Sequence, residues 1–210
     1  MLVVKRYGAV SADGILLFLL LRVESTDLRR FSLELGALNL HEGHESLVLT
    51  VGGGFPDLRN GDWYNARNRE IFDRSIGYVL EHLERGPRAW MERAFSQRGH
   101  LAALSELEGV NPALWRTGHV EQSMATGWLC LGDLPQATEL FERARERYLA
   151  VQRERPQCDW ADEGATDCAR WLDHLESGGL AAVEPLLAEG YRTSVEKLGV
   201  EKLLPGFGAK

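Results

Sequence analysis

Hydrophobic residues in the first quarter of the chain follow the patterns of β-strands. Residues 15–23 form an apolar run that ends at a polar turn. In residues 31–35, Phe and Leu alternate with polar or small residues, which is the period-two signature of a half-buried strand. A second alternation covers residues 47–51. The pattern predicts a small antiparallel sheet of three strands within about residues 2–52.

A glycine-rich stretch follows the third predicted strand. Gly52-Gly53-Gly54 interrupts the alternation, and an open loop is predicted to continue to Asn60-Gly61. Glycine loops that bind phosphate need a following Lys and Ser/Thr, or a helix directly after the glycines. Phe55-Pro56 follow here instead, so we interpret the stretch as a flexible strand exit.

From Asp62 onward the hydrophobic period becomes that of helices. A helix is predicted over residues 64–83, with Asp62 as its N-cap and Gly86-Pro87 at its end. A second helix is predicted to stop near Gly99, and a short third one covers residues 100–107.

Residues 121–149 carry the clearest local pattern, two helices joined by a tight turn. Asp133 is a natural N-cap for the second helix, and Pro135 stands where a missing N–H has no cost. Another helix pair is predicted over residues 166–188, with its turn at Gly178-Gly179.

The hairpin of residues 121–149 resembles a tetratricopeptide repeat unit. The matching positions are Ala125, Trp128, Gly132, Ala137, Phe141 and Ala144. Leu149 stands at the position of the closing proline of the repeat, which is a departure from the pattern. The resemblance implies helix pairs that stack and form a concave surface for proteins or peptides.

Residues 10–100 resemble a family of uncharacterised bacterial domains of unknown function. The similarity lies in the hairpin strands, the loop GGGFPDLRNGDW and Asp62-Trp63 directly before a helix. Some members are thought to lie beside secreted toxins, which implies an immunity protein.

These patterns predict an α+β fold, a small antiparallel sheet followed by antiparallel helix pairs. The sheet and its covering helices are assigned to residues 1–98 and the helix pairs to residues 99–210, with one shared core. A chain of this length buries roughly 70% of its unfolded surface, so it needs neither a metal nor a disulfide to fold.

Composition narrows the class of partner and the compartment. The 24 basic and 31 acidic residues give a formal net charge of −7, which disfavours nucleic acid and anionic membranes as partners. The 3 cysteines form no CxxC pair, which indicates free thiols in a reducing compartment. The start of the chain lacks the layout of a signal peptide, and no apolar run approaches the ~20 residues of a membrane span. We expect a cytoplasmic protein.

The most metal-like string is His41-x-x-His44, flanked by Glu42 and Glu45. Two imidazoles and a carboxylate on one turn are metal-ligand types, but a third, distant ligand would be needed. We interpret the string as a solvated hairpin turn and assign no metal, cofactor or catalytic residue. Catalytic triads assemble from distant positions, so an enzyme stays an alternative.

Tryptophans and acidic residues near predicted turns are the candidates for partner binding. They are Trp63, Trp115, Asp159, Trp160, Asp162 and Glu163. The last four lie in residues 156–164, predicted as a link between two helix pairs. An acidic patch with an aromatic anchor suits a basic partner. The alternative is a charged loop whose tryptophan packs inward.

The sequence therefore predicts a non-catalytic cytoplasmic module that binds a protein or peptide partner. Its narrower version is an immunity-type protein that neutralises a toxin domain. The alternative is a small hydrolase or metal-dependent enzyme with His41 and His44 near its site. A third hypothesis is a subunit that forms homo-oligomers through helix faces bearing tryptophan.

Overall fold

The computed structural model describes residues 4–23, 29–45, 51–55, 64–110 and 117–204. Antiparallel strands in the order β1-β2-β3-β4 form a sheet, and the short β5 also pairs with β3. The strands are β1 Val4–Val10, β2 Ile15–Val23, β3 Arg30–Asn39, β4 Val51–Phe55 and β5 Tyr64–Asn65. The helices are α1 Arg69–Glu84, α2 Pro87–Ala94, α3 Gln97–Val110, α4 His119–Cys130, α5 Leu134–Glu154 and α6 Asp159–Leu198. The predicted α+β class is confirmed.

The central strands β2 and β3 lie where the hydrophobic pattern predicts them. Ile15 of β2 pairs with Asn39 of β3, and the register runs without a bulge to Val23 opposite Phe31. Burial alternates along the first part of β3 and becomes continuous near its end, because helices cover both faces of the sheet there. Strand β1, which the pattern does not single out, pairs with β2 along its full length.

The glycine stretch is a strand and not a loop over the residues that the structure describes. Gly52 pairs with Gly36 of β3 and has a φ of 135°, a conformation that favours glycine. A Cβ at Gly52 would lie 2.0 Å from the carbonyl oxygen of Leu35, so glycine permits the close approach of β4 to β3. The predicted loop over residues 56–61 and most of the predicted strand at 47–51 lie outside the described residues.

Helix α1 begins later than the sequence predicts. Its N-cap is Asn68, whose side-chain oxygen accepts a hydrogen bond of 2.9 Å from the backbone N–H of Ile71. Tyr64 belongs to the sheet, because its ring stacks on Phe31 at 5.3 Å and its backbone pairs with the same residue. Asp62, the predicted N-cap, lies outside the described residues.

Helices α2 and α3 meet at a turn that the sequence places a few residues too late. Gly99 lies inside α3 and not at the end of α2. A Cβ at Gly99 would lie 1.6 Å from the carbonyl oxygen of Arg93, so this glycine allows the two helices to join closely. The predicted break at Gly86-Pro87 is confirmed, with Pro87 in the first turn of α2.

Helices α4 and α5 form the predicted hairpin. Asp133 caps α5 by accepting a hydrogen bond of 3.1 Å from the backbone N–H of Gln136. The small residues Ala125 and Ala137 are fully buried between the helices. Phe141 of α5 stacks on Trp171 of α6 at 5.6 Å, which extends the packing to the next helix.

Helix α6 consists of two halves, because Gly179 has the non-helical angles φ 58° and ψ −139°. The predicted helix pair with its turn at this glycine is confirmed. The predicted link at 156–164 is wrong from Asp159 onward, since the helix begins there and places acidic residues in its first turn. Residues 180–198 return to the sheet. No helix in the described part of the chain is long and apolar enough to cross a membrane.

Candidate functional site

A cleft with a volume of about 470 Å³ lies between the helices and the turn that follows β3. The turn contributes residues 41–44 to its wall. Helix α4 contributes a polar stripe within 119–126, and the two halves of α6 contribute residues within 167–171 and 186–193. The cleft therefore joins parts of the chain that are far apart in sequence.

Two buried amides fix the start of the turn. The side-chain oxygen of Asn39 accepts hydrogen bonds from the backbone N–H of His41 (3.2 Å) and from Nε2 of Gln97 (3.1 Å). Nδ2 of Asn39 donates to Oε1 of Gln97 at 3.3 Å, so the two amides pair reciprocally. The backbone N–H of Gln97 donates to Asp13 Oδ2 at 2.7 Å, so the start of α3 also contacts the connection between β1 and β2.

The second half of α6 holds the other side of the turn through hydrogen bonds. The backbone N–H of His44 donates to Oγ of Ser194 at 2.7 Å, and Nδ1 of His41 lies 3.3 Å from the carbonyl oxygen of Leu187. Gly190 lets the helix approach the turn, because a Cβ there would lie 2.3 Å from the carbonyl oxygen of His41. The turn and this helix half therefore act as one wall of the cleft.

Glu42 is the chemically distinctive residue of the cleft. Oγ of Ser123 donates to Oε2 of Glu42 at 2.6 Å, and Nε2 of His44 lies 3.5 Å from the same oxygen. The side chains of Glu42 and His44 are each only 13% exposed. Burial raises the pKa of the Glu42 carboxyl, and the nearby His44 and Ser123 oppose that rise.

A second histidine lies buried near His44. His100 is 1% exposed, and neither of its ring nitrogens has a hydrogen-bond partner among the described residues. Burial lowers the pKa of His100 to about 4, and the neighbouring His44 adds to this shift. His100 is therefore neutral at pH 7.

An aromatic cluster packs around His119, which lines the cleft on the α4 side. The hydroxyl of Tyr148 donates to Oε1 of Gln122 at 2.6 Å and lies 2.8 Å from Nδ1 of His119. The ring of Trp160 stacks on His119 at 5.2 Å.

Among the predicted partner-binding residues, Trp160 lies beside the cleft. One side of its ring packs on His119, as expected for a tryptophan that packs inward. Trp160 is nevertheless 38% exposed, so part of the ring is also accessible as an aromatic anchor. Asp159, Asp162 and Glu163 are exposed on the first turns of α6, where Asp162 accepts a hydrogen bond from Gln152. Trp63 and Trp115, the other predicted candidates, lie outside the described residues.

The turn at His41 and His44 is not solvated as predicted. Both histidines and Glu42 are largely enclosed by α4 and α6, and only Glu45 is exposed. Within the described ranges, no group of three or more His, Cys, Asp or Glu side chains is arranged to hold a metal ion.

The cysteines of the described helices are free thiols and contribute to packing. Cys168 is buried and Cys130 is partly buried. Burial raises the pKa of both thiols to about 12, so neither is a thiolate at neutral pH.

Sequence reasoning did not identify the polar lining of α4. His119, Gln122, Ser123 and Thr126 are spaced by three, one and three residues, which places them on one helix face. That spacing is a signal that the sequence contains, because it predicts a polar stripe on the face of α4 beside its buried alanine and leucine residues. Asp167 and Arg170 continue the lining on α6, where they form an ion pair of 3.1 Å.

Comparisons with models of known protein families, with curated proteins and with solved structures found no significant match to this chain. The resemblances to a tetratricopeptide unit and to toxin-associated domains therefore stay predictions.

Proposed function

We propose that this protein is a non-catalytic interaction module that holds a segment of a protein partner in the cleft. The observation that carries the proposal is the cleft itself, a concavity of about 470 Å³ where polar side chains of the turn, α4 and α6 converge. Ligand sites commonly have volumes of about 300–1,000 Å³. The exposed part of Trp160 beside the rim offers an aromatic anchor of the kind enriched at protein interfaces.

The side-chain chemistry supports binding over nucleophilic catalysis. The single hydroxyl proton of Ser123 is donated to Glu42, so no histidine accepts it as a general base would. Ser123 is 3% exposed, and the thiols of Cys130 and Cys168 are protonated at neutral pH. Ser123 therefore supports the wall of the cleft, and the two thiols belong to the core between the helices, so none of the three is well placed to attack a substrate.

A photo-crosslinking experiment tests the proposal at the site. p-Benzoylphenylalanine is incorporated in place of Glu189, which lines the cleft, and the protein is irradiated in cells of its source organism. The matched control carries it in place of Glu184, exposed on the same helix half but outside the lining. We expect one dominant protein adduct at position 189 that is absent at position 184. No adduct at position 189, or the same adducts at both positions, would contradict the proposal.

The narrower version of the proposal is an immunity-type protein in the cytoplasm. It predicts that the adduct partner is a toxin domain and that co-expression restores growth to cells that produce this toxin. Growth rescue lost on replacing cleft residues, with folding retained, would support it. An adduct partner without toxicity would contradict the narrower version and leave the interaction module.

The pair of Glu42 and His44 favours one alternative, a small hydrolase or metal-dependent enzyme. A carboxylate 3.5 Å from an imidazole is a general acid–base arrangement. This alternative predicts hydrolysis of activated esters or phosphoesters that is lost in both Glu42→Gln and His44→Ala. Its metal-dependent form further predicts a stoichiometric divalent ion that His44→Ala removes.

A further inference from the structure

We propose that the cleft recognises a positively charged side chain, an arginine of the protein partner, and that Glu42 is the residue that binds it. This inference rests on the proposed function and specifies the chemistry of the segment that the cleft accepts. It follows from the contacts of Glu42, from the pairing of the other charges and from the aromatic lining.

The contacts of Glu42 leave one carboxylate oxygen available. Its described partners, Oγ of Ser123 and Nε2 of His44, both lie at Oε2. In the described part of the chain, Oε1 receives no hydrogen bond. Ser123 is neutral and His44 is cationic only when it is protonated, so among the described residues this largely buried carboxylate has no permanent cation beside it.

The other charged residues of the lining are already paired. Asp167 pairs with Arg170 at 3.1 Å, and Glu189 pairs with Arg192 on the same helix half. These two carboxylates therefore have cationic neighbours within the protein. Among the lining carboxylates, Glu42 has no arginine or lysine neighbour among its described partners. An anionic ligand would therefore be repelled by the negative charge of Glu42.

His44 supplies a second sign of an incomplete site. Its Nε2 is buried and makes no hydrogen bond within the described ranges, since its separation from Glu42 is 3.5 Å. Among the described residues, the cleft wall thus contains a carboxylate oxygen that accepts no hydrogen bond and an imidazole nitrogen that makes none. A ligand that donates a hydrogen bond to Oε1 of Glu42 would therefore bind beside polar groups that the fold holds in place without giving them hydrogen-bond partners.

Arginine fits this lining better than lysine. A planar guanidinium donates several N–H groups in a fixed fork to a carboxylate and packs favourably beside aromatic rings. Trp171 contributes an indole to the lining, and Trp160 stacks on His119, which also lines the cleft. Lysine would supply the charge without the planar surface.

The test is a titration of the full chain with N-acetyl-arginine amide, followed by amide resonances in NMR spectra. N-acetyl-citrulline amide is the control probe, because it has nearly the same shape without the charge. We expect saturable shifts at Gly43 and Ser123 with the arginine probe, and binding at least tenfold weaker with the citrulline probe. Equal binding of the two probes, or no binding of the arginine probe, would overturn the inference without requiring any variant.

Glu42→Gln then tests the residue, with Glu184→Gln as the control variant away from the cleft. We expect Glu42→Gln to weaken binding of the arginine probe at least tenfold and Glu184→Gln to leave it unchanged. Unchanged binding in a folded Glu42→Gln protein would overturn the role of Glu42. A protein adduct at position 189 without arginine binding would overturn this inference alone. Arginine binding without any adduct would instead overturn the proposed function.

Discussion

At the scale of single residues, Gly190 sets how closely α6 approaches the turn that bears Glu42. A Cβ on this residue would lie 2.3 Å from the carbonyl oxygen of His41 and 3.2 Å from the backbone nitrogen of Gly43. Both neighbours are backbone atoms, so they cannot rotate away as a side chain would. We expect Gly190→Ala to lower the free energy of unfolding by about 1–3 kcal/mol, as overpacking typically does.

Urea denaturation measures this effect, and Gly77→Ala provides its control. Gly77 lies in α1 with no atom within 4 Å of an added Cβ. Alanine there should raise the free energy of unfolding by about 0.5–1 kcal/mol, because glycine is the poorer helix former. If both alanine variants were stabilised alike, the close contact at Gly190 would be contradicted.

His100 makes stability depend on pH. Its pKa is about 4 in the folded protein against an ordinary value of 6.5. Between these pH values the unfolded chain binds a proton that the folded protein excludes, so the free energy of unfolding falls as pH is lowered. At 1.36 kcal/mol per pH unit, the His100 contribution lost from pH 6.5 to pH 4 is about 3 kcal/mol.

A variant without the imidazole isolates this contribution. The lowered pKa values of His41 and His119 act in the same direction, whereas the raised pKa of Glu42 acts in the opposite one. All three groups remain in His100→Leu, so the difference between the two proteins reports His100. Urea denaturation at pH 7, 5.5 and 4.5 should show a shallower loss in the variant. Parallel curves would refute the assignment.

At the scale of elements, Asp133 determines where α5 begins. Its carboxylate accepts a hydrogen bond from the backbone N–H of Gln136, and Gly132 before it has a φ of 77°. Asp133→Ala removes this acceptor and should lower the free energy of unfolding by about 1 kcal/mol. Asp133→Asn keeps a side-chain oxygen and should remain within a few tenths of the wild-type value. Equal losses in chemical denaturation of the two variants would exclude a capping role.

The elements that the sequence predicts best are those stabilised by contacts near in sequence. The apolar run of β2 and the hairpin of α4 and α5 follow directly from hydrophobic spacing and cap residues. The prediction is wrong at Gly52 and Tyr64, because the conformations of these residues depend on pairing with β3, which is distant in sequence. Periodicity gives no information on such pairings, and glycine is ordinarily a strand breaker.

The cleft could be predicted only in fragments. His41 and His44 stand out as a local string, but their turn is held by long-range contacts. Ser123 of α4 donates to Glu42, and Ser194 of α6 accepts from the backbone N–H of His44. The buried amide pair of Asn39 and Gln97 spans 58 residues, and the sequence around either residue gives no sign of it. A site built from such long-range contacts cannot be assembled from local patterns.

At the scale of the whole molecule, helices pack on both faces of the sheet. Leu16 and Leu38 pack on one side against Leu198 from the end of α6. On the other side, Ile15 packs in a cluster with Leu104 of α3. The first strands of the sheet and the end of α6 therefore share one core, and the first half of α6 and α4, which line the cleft, come between them in the chain. Loosening either contact should weaken the sheet and the helices together.

This arrangement predicts a single unfolding transition in which the sheet and the helices are lost together. Leu198→Ala leaves a cavity beneath the sheet and should cost about 2–5 kcal/mol, whereas Leu180→Ala should cost far less because Leu180 is 36% exposed. Tryptophan fluorescence, which includes Trp128 and Trp171 of the helical cluster, and far-UV circular dichroism should give one urea midpoint in each variant. A shift confined to one signal in Leu198→Ala would show separate units. A common shift of both signals is expected because the end of α6 packs on the sheet and the rest of α6 packs on α4 and α5.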